Sequence, residues 1–473
     1  MTPRGARRPI STPGGRCGSV ARMRFFATML VAVGLLAAPV EPVFAADRTP
    51  LSLSLPVQRV TLENGLRVVL SPEPGAPRVG VVVSYRVGSR HEERGRTGFA
   101  HLFEHMMFQG SGNVEKGGHA RLIMGRGGNV QGGTAADVTQ FYNSAPAAEL
   151  PLVLWLEADR MKSLDVSEEK FENQRQVVRE EVQGGLNAPY IAGFLRLDEL
   201  VFEGYWPYAH PTGGTLEDLA AARFPWVKAF HDAYYRPNNA VLAVTGGFEP
   251  GEALSLIRRY FGGISAGKLP EAVDPPMPEQ TAPRGEVYKD ELARTPAVYY
   301  GIATPPWRTP EHHALKLASI VLGGGASSRL HRRLMKDKAL AQEADASWDV
   351  IKTGPLLLSV GAKLTAGAPI PEVKRIIEEE LDRLGKEPLS AAELEGARRK
   401  AQLELVGYVE DTLGRATFLS IYELYFGDAR LLSEELPSYQ RLTAEDVRRA
   451  AAKYLAPARR SVIEILPKAE VKP

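Results

Sequence analysis

The sequence predicts an α+β fold in two similar halves, and three observations predict it. Strand-like and helix-like stretches are mixed without the regular βαβ rhythm of a doubly wound sheet. A proline-rich run without apolar periodicity, Lys268 to Pro283, reads as a linker and divides the chain. The second half then repeats the order of the first, which suggests a duplicated domain.

Taken in order, the first element is a hairpin. Alternating apolar residues from Val57 meet a turn at Asn64-Gly65, and a second run follows from Leu66 to Leu70. A third strand is predicted at Val79 to Val87 and a helix from Gly98 to Phe108, with Thr97 as its N-cap. Leu150 to Met161 and Ser167 to Val182 read as further helices, and Ala240 to Gly246 as a buried strand. In the second half a strand (Ala297 to Ala303) precedes a helix (Thr309 to Leu322). Strands near Gln342 to Val350 and Pro355 to Leu364, further helices and a last strand, Ser461 to Leu466, complete it. The boundaries expected are 1–45 for a leader, 46–267 for the first domain, 268–285 for the linker and 286–473 for the second domain.

The leader is set apart by chemistry. Arg22 and Arg24 precede an apolar run, Phe25 to Val40, that ends in Val43-Phe44-Ala45. This is the pattern of a signal peptide cleaved after Ala45, with an uncleaved anchor as the alternative and Met1 or Met23 as the start. It implies a periplasmic or secreted protein with no stable membrane span after cleavage. Six arginines and one acid give the leader a charge of +5 against +2 for the whole chain, so the remainder is near −3. A slightly acidic protein without Lys/Arg blocks has no footprint for nucleic acid or an anionic membrane surface. The single cysteine, Cys17, lies in the leader, so the mature protein has no thiol chemistry. With 473 residues and 44% hydrophobic composition it needs no disulfide staples to hold a core.

The chemistry concentrates in Gly98-Phe-Ala-His101-Leu-Phe-Glu104-His105-Met-Met-Phe108. On a helix His101 and His105 share a face one turn apart, so both imidazoles can reach one ion. Zinc takes imidazole nitrogen at about 2.0–2.1 Å, and a hydrolytic site uses three protein ligands and a water. Glu104 flanks such an ion without binding it and suits a general base. Two ordinary histidines on an apolar helix are the bland alternative. With nine His in the chain, chance produces His-x-x-Glu-His in roughly one such sequence in a hundred. The third ligand has a candidate in the helix from Ser167. Phe171, Gln174, Val178, Glu181 and Val182 fall on one face, so Glu181 turns toward the core, where a carboxylate needs a cation or strong donors. The alternative is a carboxylate that escapes to solvent from the helix end.

These residues resemble the M16 (pitrilysin/insulinase-like) metallopeptidases, the inverzincins, whose inverted motif is His-x-x-Glu-His. The resemblance implies a third ligand in a Glu-Arg-x-x-x-x-x-Glu pattern, and Glu181 stands 76 residues after His105, in Gln174-Arg-Gln-Val-Val-Arg-Glu-Glu181. Gln174 replaces the accessory Glu of that pattern. Leu62-Glu-Asn-Gly-Leu-Arg-Val-Val is similar to the opening hairpin of the family. Gly127-Gly-Asn-Val-Gln-Gly-Gly-Thr134-Ala-Ala-Asp137 is similar to its Asn-Ala-x-Thr-x-x-Asp strand, which pairs with the substrate backbone. Gln131, Gly132, Gly133 and Thr134 are therefore the substrate-binding candidates by resemblance; glycines there also read as hairpin turns. His210-Pro-Thr-Gly-Gly-Thr and Tyr234-Tyr-Arg-Pro-Asn-Asn match family patterns of structural kind. Leu322-Gly-Gly-Gly-Ala-Ser-Ser-Arg-Leu330 resembles the helix entry of the second M16 domain; no Gly-Lys-Ser/Thr follows to make it a phosphate loop.

One departure stands out. Met335-Lys-Asp-Lys-Ala-Leu-Ala-Gln342 occupies the place of the family's Arg-Glu-Lys-Arg-Gly-Leu-Ala-Tyr, so its substrate-binding Arg and Tyr are missing. The resemblance thus implies two M16-type (LuxS/MPP-like metallohydrolase) domains, each a mostly antiparallel sheet packed with helices. It implies one Zn2+ per chain on His101, His105 and Glu181, with Glu104 as base. It also implies an exported oligopeptidase for unfolded peptides, the zinc-bearing member of a bacterial heterodimer whose sister M16 subunit supplies Arg and Tyr. A homodimer comes second, and a non-catalytic assembly or peptide-holding subunit is the rival reading.

Overall fold

In the computed structural model, residues 52–271, 274–349 and 351–468 are described; the leader and Cys17 lie outside them. Among the described residues eleven strands form two sheets. The first contains β1 (Gln58–Thr61), β2 (Arg67–Pro72), β3 (Arg78–Tyr85), β4 (Asn129–Thr134), β5 (Thr139–Pro146) and β6 (Ala240–Gly246), in the order β1-β2-β6-β3-β5-β4. The second contains β7 (Arg284–Asp290), β8 (Ala297–Thr304), β9 (Ala341–Trp348), β10 (Leu356–Leu364) and β11 (Arg460–Pro467), in the order β7-β11-β8-β10-β9.

The two orders are one topology. β2 runs parallel to β6 as β7 does to β11, and every other pair of neighbours is antiparallel. The helices correspond as well. The first half carries α1 (Phe99–Met106), α2 (Gly118–Met124), α3 (Leu150–Ser163), α4 (Glu168–Leu186), α5 (Ile191–Val201), α6 (Leu216–Ala221) and α7 (Phe224–Tyr234), with α8 (Pro250–Phe261) after β6. The second carries α9 (Pro310–Gly323), a π-helical stretch (His331–Asp337), α10 (Ile370–Lys386), α11 (Ala391–Glu410), α12 (Thr412–Phe426), α13 (Glu435–Arg441) and α14 (Ala444–Tyr454). Apart from α8 and β1, each element of one half has a counterpart at the same place in the other.

Central strands such as β3, Arg-Val-Gly-Val-Val-Val-Ser-Tyr, read as one apolar run because both faces are covered. Val79, Val81 and Val83 join the core made with Phe99, Leu102, Phe103, Leu154, Phe171 and Val178. Val82, with Val69, Val241 and Ala243, meets Leu405, Val409, Ala416, Leu419 and Tyr422 from α11 and α12. The exchange is reciprocal: Leu197 and Val201 of α5 pack with Ala297, Tyr299, Ile463 and Ile465 of the second sheet. Burying each such side chain contributes roughly 1.5–3 kcal/mol, so the swapped helices bind the halves through apolar area.

A polar knot adds direction to that bond. Asp137, 2% exposed, follows β4 and accepts from Arg90 Nη1 (3.1 Å), Tyr208 Oη (2.9 Å) and the Thr353 amide and hydroxyl (2.5 and 2.8 Å). Four donors from both halves offset the cost of burying the carboxylate. Among the described residues no helix is long and apolar enough to cross a membrane.

Candidate metal centre

Helix α1 is shorter than the sequence predicts and is capped differently. Thr97 is not its N-cap: that position is Gly98, at φ 88°, a left-handed conformation natural to glycine. The Thr97 hydroxyl instead donates to Asp218 Oδ2 at 2.6 Å. The free amides of the first turn go to a residue that no local pattern advertised. Glu92 accepts from the Gly98 amide through Oε2 and from the Ala100 amide through Oε1, both at 2.8 Å. The buried Glu92 carboxylate lies 3.5 Å from His210 Nε2, and His210 stacks on Trp206, whose Nε1 donates to the Glu92 carbonyl at 2.7 Å. His210 therefore belongs to the support of the helix.

Helix α4 opens with Ser167, whose hydroxyl accepts from the Lys170 amide, and carries Glu168 and Glu169 where the helix dipole favours acids. Phe171, Gln174 and Val178 are buried along one stripe against α1, as the spacing predicts. One turn further, Glu181 comes up beside the two imidazoles. Its Oε2 is 3.3 Å from His105 Nε2 and its Oε1 is 3.9 Å from His101 Nε2. The two rings stand nearly perpendicular, 4.8 Å between centroids. Gln174, by contrast, directs its amide to Asn173 Oδ1, and no bond from it to the three residues is present among the described contacts.

The donor set fits a divalent ion. One ligand atom from each of His101, His105 and Glu181 lies within 4.8 Å of the others. Three ligands at 2.0–2.1 Å in tetrahedral array are about 3.3 Å apart, so a small inward movement suffices. His101 gives the sharper indication. Its Nδ1 is buried without a hydrogen-bond partner, and its Nε2 is too far from Glu181 for a hydrogen bond. Burial, reinforced by His105, pushes His101 down to about 4, so the ring is neutral near pH 7, the form that ligates metal. The hydrogen bond from His105 holds Glu181 below the usual carboxylate range.

Glu104 lies between this cluster and the edge strand β4. Its Oε2 accepts from Thr134 Oγ1 at 2.7 Å. At its other oxygen a Cβ on residue 132 would fall 2.7 Å from Oε1, so a larger residue there requires the Glu104 side chain to shift. Burial raises the pKa of Glu104, and the Thr134 bond opposes that shift. The glycine-rich segment is thus a strand, paired on one side with β5 and open on the other. Gly132 and Thr134 face Glu104, whereas Gln131 and Gly133 fall on the opposite face, with Gly133 over the Tyr142 ring. Of the four substrate-binding candidates, two touch the catalytic candidate itself, which the sequence reading did not assign to them.

In the second half, two cations near the missing Arg/Tyr positions are engaged by acids. Arg333 bonds Glu379 and Glu380, and Lys338 bonds Glu372.

A duplicated α+β fold with a His-His-Glu cluster beside an edge strand defines the class of M16-type proteins. The chain belongs to the M16 peptidase family: residues 67–189 match the model described as Insulinase (Peptidase family M16), and residues 226–401 match the Peptidase M16 inactive domain. The first match contains all four site residues. The chain is 27% identical over 417 residues to the zinc protease PqqE of Helicobacter pylori, spanning 87% of this chain and 93% of that one. A solved protease structure from Helicobacter pylori superposes with a TM-score of 0.82 at 26% identity, over 87% of this chain and all of that one. The periplasmic protease PqqL of Escherichia coli shares the fold at a TM-score of 0.72 and 19% identity; 89% of this chain covers 49% of PqqL.

Proposed function

We propose that this chain is an exported zinc peptidase that hydrolyses unfolded peptides, with His101, His105 and Glu181 as ligands and Glu104 as general base. The observation that carries the reading is the meeting of those three side chains, from two helices, beside Glu104. When bound, the ion supplies Lewis acidity and lowers the pKa of a water toward about 7. Glu104 accepts the proton of that water and returns it to the leaving amine. The Thr134 hydroxyl fixes the Glu104 carboxylate, and Gly132 leaves room for it. The free edge of β4 holds the peptide extended by main-chain hydrogen bonds, which reads many sequences alike.

By the family resemblance a complete site also needs an Arg and a Tyr that hold the substrate, and the residues at 335–342 do not offer them. A sister M16 subunit supplies them in this proposal. The half-length coverage of PqqL, a single chain about twice as long, supports pairing of two such units, and the periplasmic location of PqqL agrees with cleavage of residues 1–45.

The test is metal analysis of the purified protein together with cleavage of an unfolded peptide, by the chain alone and mixed with a sister subunit. Glu104→Gln is expected to keep its zinc and lose turnover by about 10²-fold or more. Undiminished cleavage by that variant would refute the reading.

A further inference from the structure

Thr134 is the last residue of β4 and donates to Glu104, and Asp137 follows in the turn that leads to β5. That turn is gripped first from within its own half. The amides of Ser89 and Arg90 donate to the carbonyls of Ala135 and Ala136 at 3.3 and 3.0 Å. Gly88 lies so close that a Cβ on it would fall 2.1 Å from the Ala135 oxygen.

The second half takes hold of the same turn through the segment between β9 and β10, and Thr353 is the centre of that hold. Its hydroxyl donates to Asp137 Oδ2 at 2.8 Å and accepts from Arg90 Nη1 at 2.6 Å, while its amide donates to the same Asp137 oxygen at 2.5 Å. The next amide, that of Gly354, donates to Tyr208 Oη at 3.0 Å, and Tyr208 donates in turn to Asp137 Oδ2 at 2.9 Å. A Cβ on Gly354 would fall 2.9 Å from Tyr208 Oη, so the backbone itself makes the approach. Lys352 sets its ammonium over the Tyr208 ring, 4.5 Å from the centroid. A buried network whose donors and acceptors are matched in this way fixes its members more narrowly than apolar packing does.

We infer that Thr353 is a positioning residue for Glu104: through Asp137 it sets the end of β4, and with it the Thr134 hydroxyl that holds the base. The second half thereby takes part in the chemistry of the first without touching the substrate or the reacting atoms at this point. Misplacing a group by about 1 Å from a distance costs up to about 10²-fold in rate, so a loosened turn is enough to be felt at Glu104. The inference rests on the reading of Glu104 as the base.

The experiment pairs amide hydrogen exchange of the full chain with steady-state kinetics on one unfolded peptide, the chain being mixed with its sister subunit. Thr353→Val removes the hydroxyl and keeps the branched outline. Exchange over residues 129–139, read by mass spectrometry without substrate, is expected to quicken about 10-fold, with the strands of the second sheet unchanged. The accompanying fall in kcat is expected to be about 10-fold, with KM and zinc content as in the parent, and Thr353→Ser is expected to restore it. Added to Thr134→Val, Thr353→Val is expected to cost nothing more, because the path to Glu104 is already cut. Tyr208→Phe removes another donor to Asp137 should Thr353→Val fold poorly, and circular dichroism establishes which variants are folded. Unchanged exchange over 129–139 in the folded variants would overturn the inference, and so would losses of kcat that multiply in the double variant. A parent without turnover, or a Glu104→Gln variant as active as the parent, would count against the peptidase reading instead. Exchange needs no turnover and so keeps the two failures apart.

Discussion

Thr134 Oγ1 donates a 2.7 Å hydrogen bond to Glu104 Oε2, tying the edge strand to the carboxylate that the proposed chemistry uses. A hydrogen bond to a charged group contributes about 1.5–3 kcal/mol, equivalent to roughly 10- to 100-fold in rate. Thr134→Val is therefore expected to lower kcat by that factor with zinc content unchanged, and Thr134→Ser to recover most of it. Steady-state kinetics on one unfolded peptide decide the point. A change confined to KM would assign Thr134 to peptide binding instead.

Gly132 makes the complementary contact. Any Cβ there would fall 2.7 Å from Glu104 Oε1 and 3.0 Å from its Cγ, so Gly132→Ala must move the carboxylate or the strand. A fall in kcat of at most about 10²-fold is expected, with metal bound as before because the proposed ligands come from α1 and α4. Wild-type kcat in Gly132→Ala would show that the carboxylate is free to shift.

How much of this was legible beforehand depends on the range of each interaction. His101, Glu104, His105 and Glu181 are set by helical spacing within two segments, and that periodicity is written in the sequence. Thr97 was misread as a cap because the acceptor that caps the helix, Glu92, lies six residues before Gly98 and outside any capping pattern. The glycines of β4 read equally as turns, since their strand identity depends on pairing with β5 and on the space beside Glu104. Strand β7, Arg284–Asp290, alternates between half-buried and exposed positions at a sheet edge and so offered little apolar signal beyond the linker. The exchange of α5 and α12 was not legible, because an apolar helix face declares that it is buried without naming the sheet that buries it.

Glu92 deserves a measurement of its own. Glu92→Ala leaves the Gly98 and Ala100 amides buried without acceptors, at a cost of about 1–3 kcal/mol each. Chemical denaturation should show that loss, and zinc affinity should fall with it as α1 frays beneath His101. Stability equal to wild type would mean that water or another acceptor takes over the cap.

Asp137 is expected to matter for the union of the halves. Asp137→Ala strands Arg90, Tyr208 and the Thr353 amide, which come from both sides of the knot. Removing one partner of a buried ion pair costs about 3–5 kcal/mol. Lower thermal stability, with faster proteolysis around 351–354, is the expected outcome. An unchanged melting curve would assign the union to the swapped helices alone.

Acid sensitivity has a defined origin in Glu157. Its carboxylate is fully buried, which by itself would raise its pKa, but the charge of Arg160 and the bond from His119 bring it down to about 2. Arg160 is itself buried, with its guanidinium over the Phe141 ring at 4.2 Å. Because the folded value lies below the unfolded one, near 4.5, the pair stabilises the protein fully above that pH. The stabilisation is lost progressively as pH falls from about 4.5 toward 2. Glu157→Gln should lower stability at pH 7 and flatten its decline in that acid window, as read from denaturation midpoints at a series of pH values. Parallel wild-type and variant curves through the window would place the acid transition in other carboxylates.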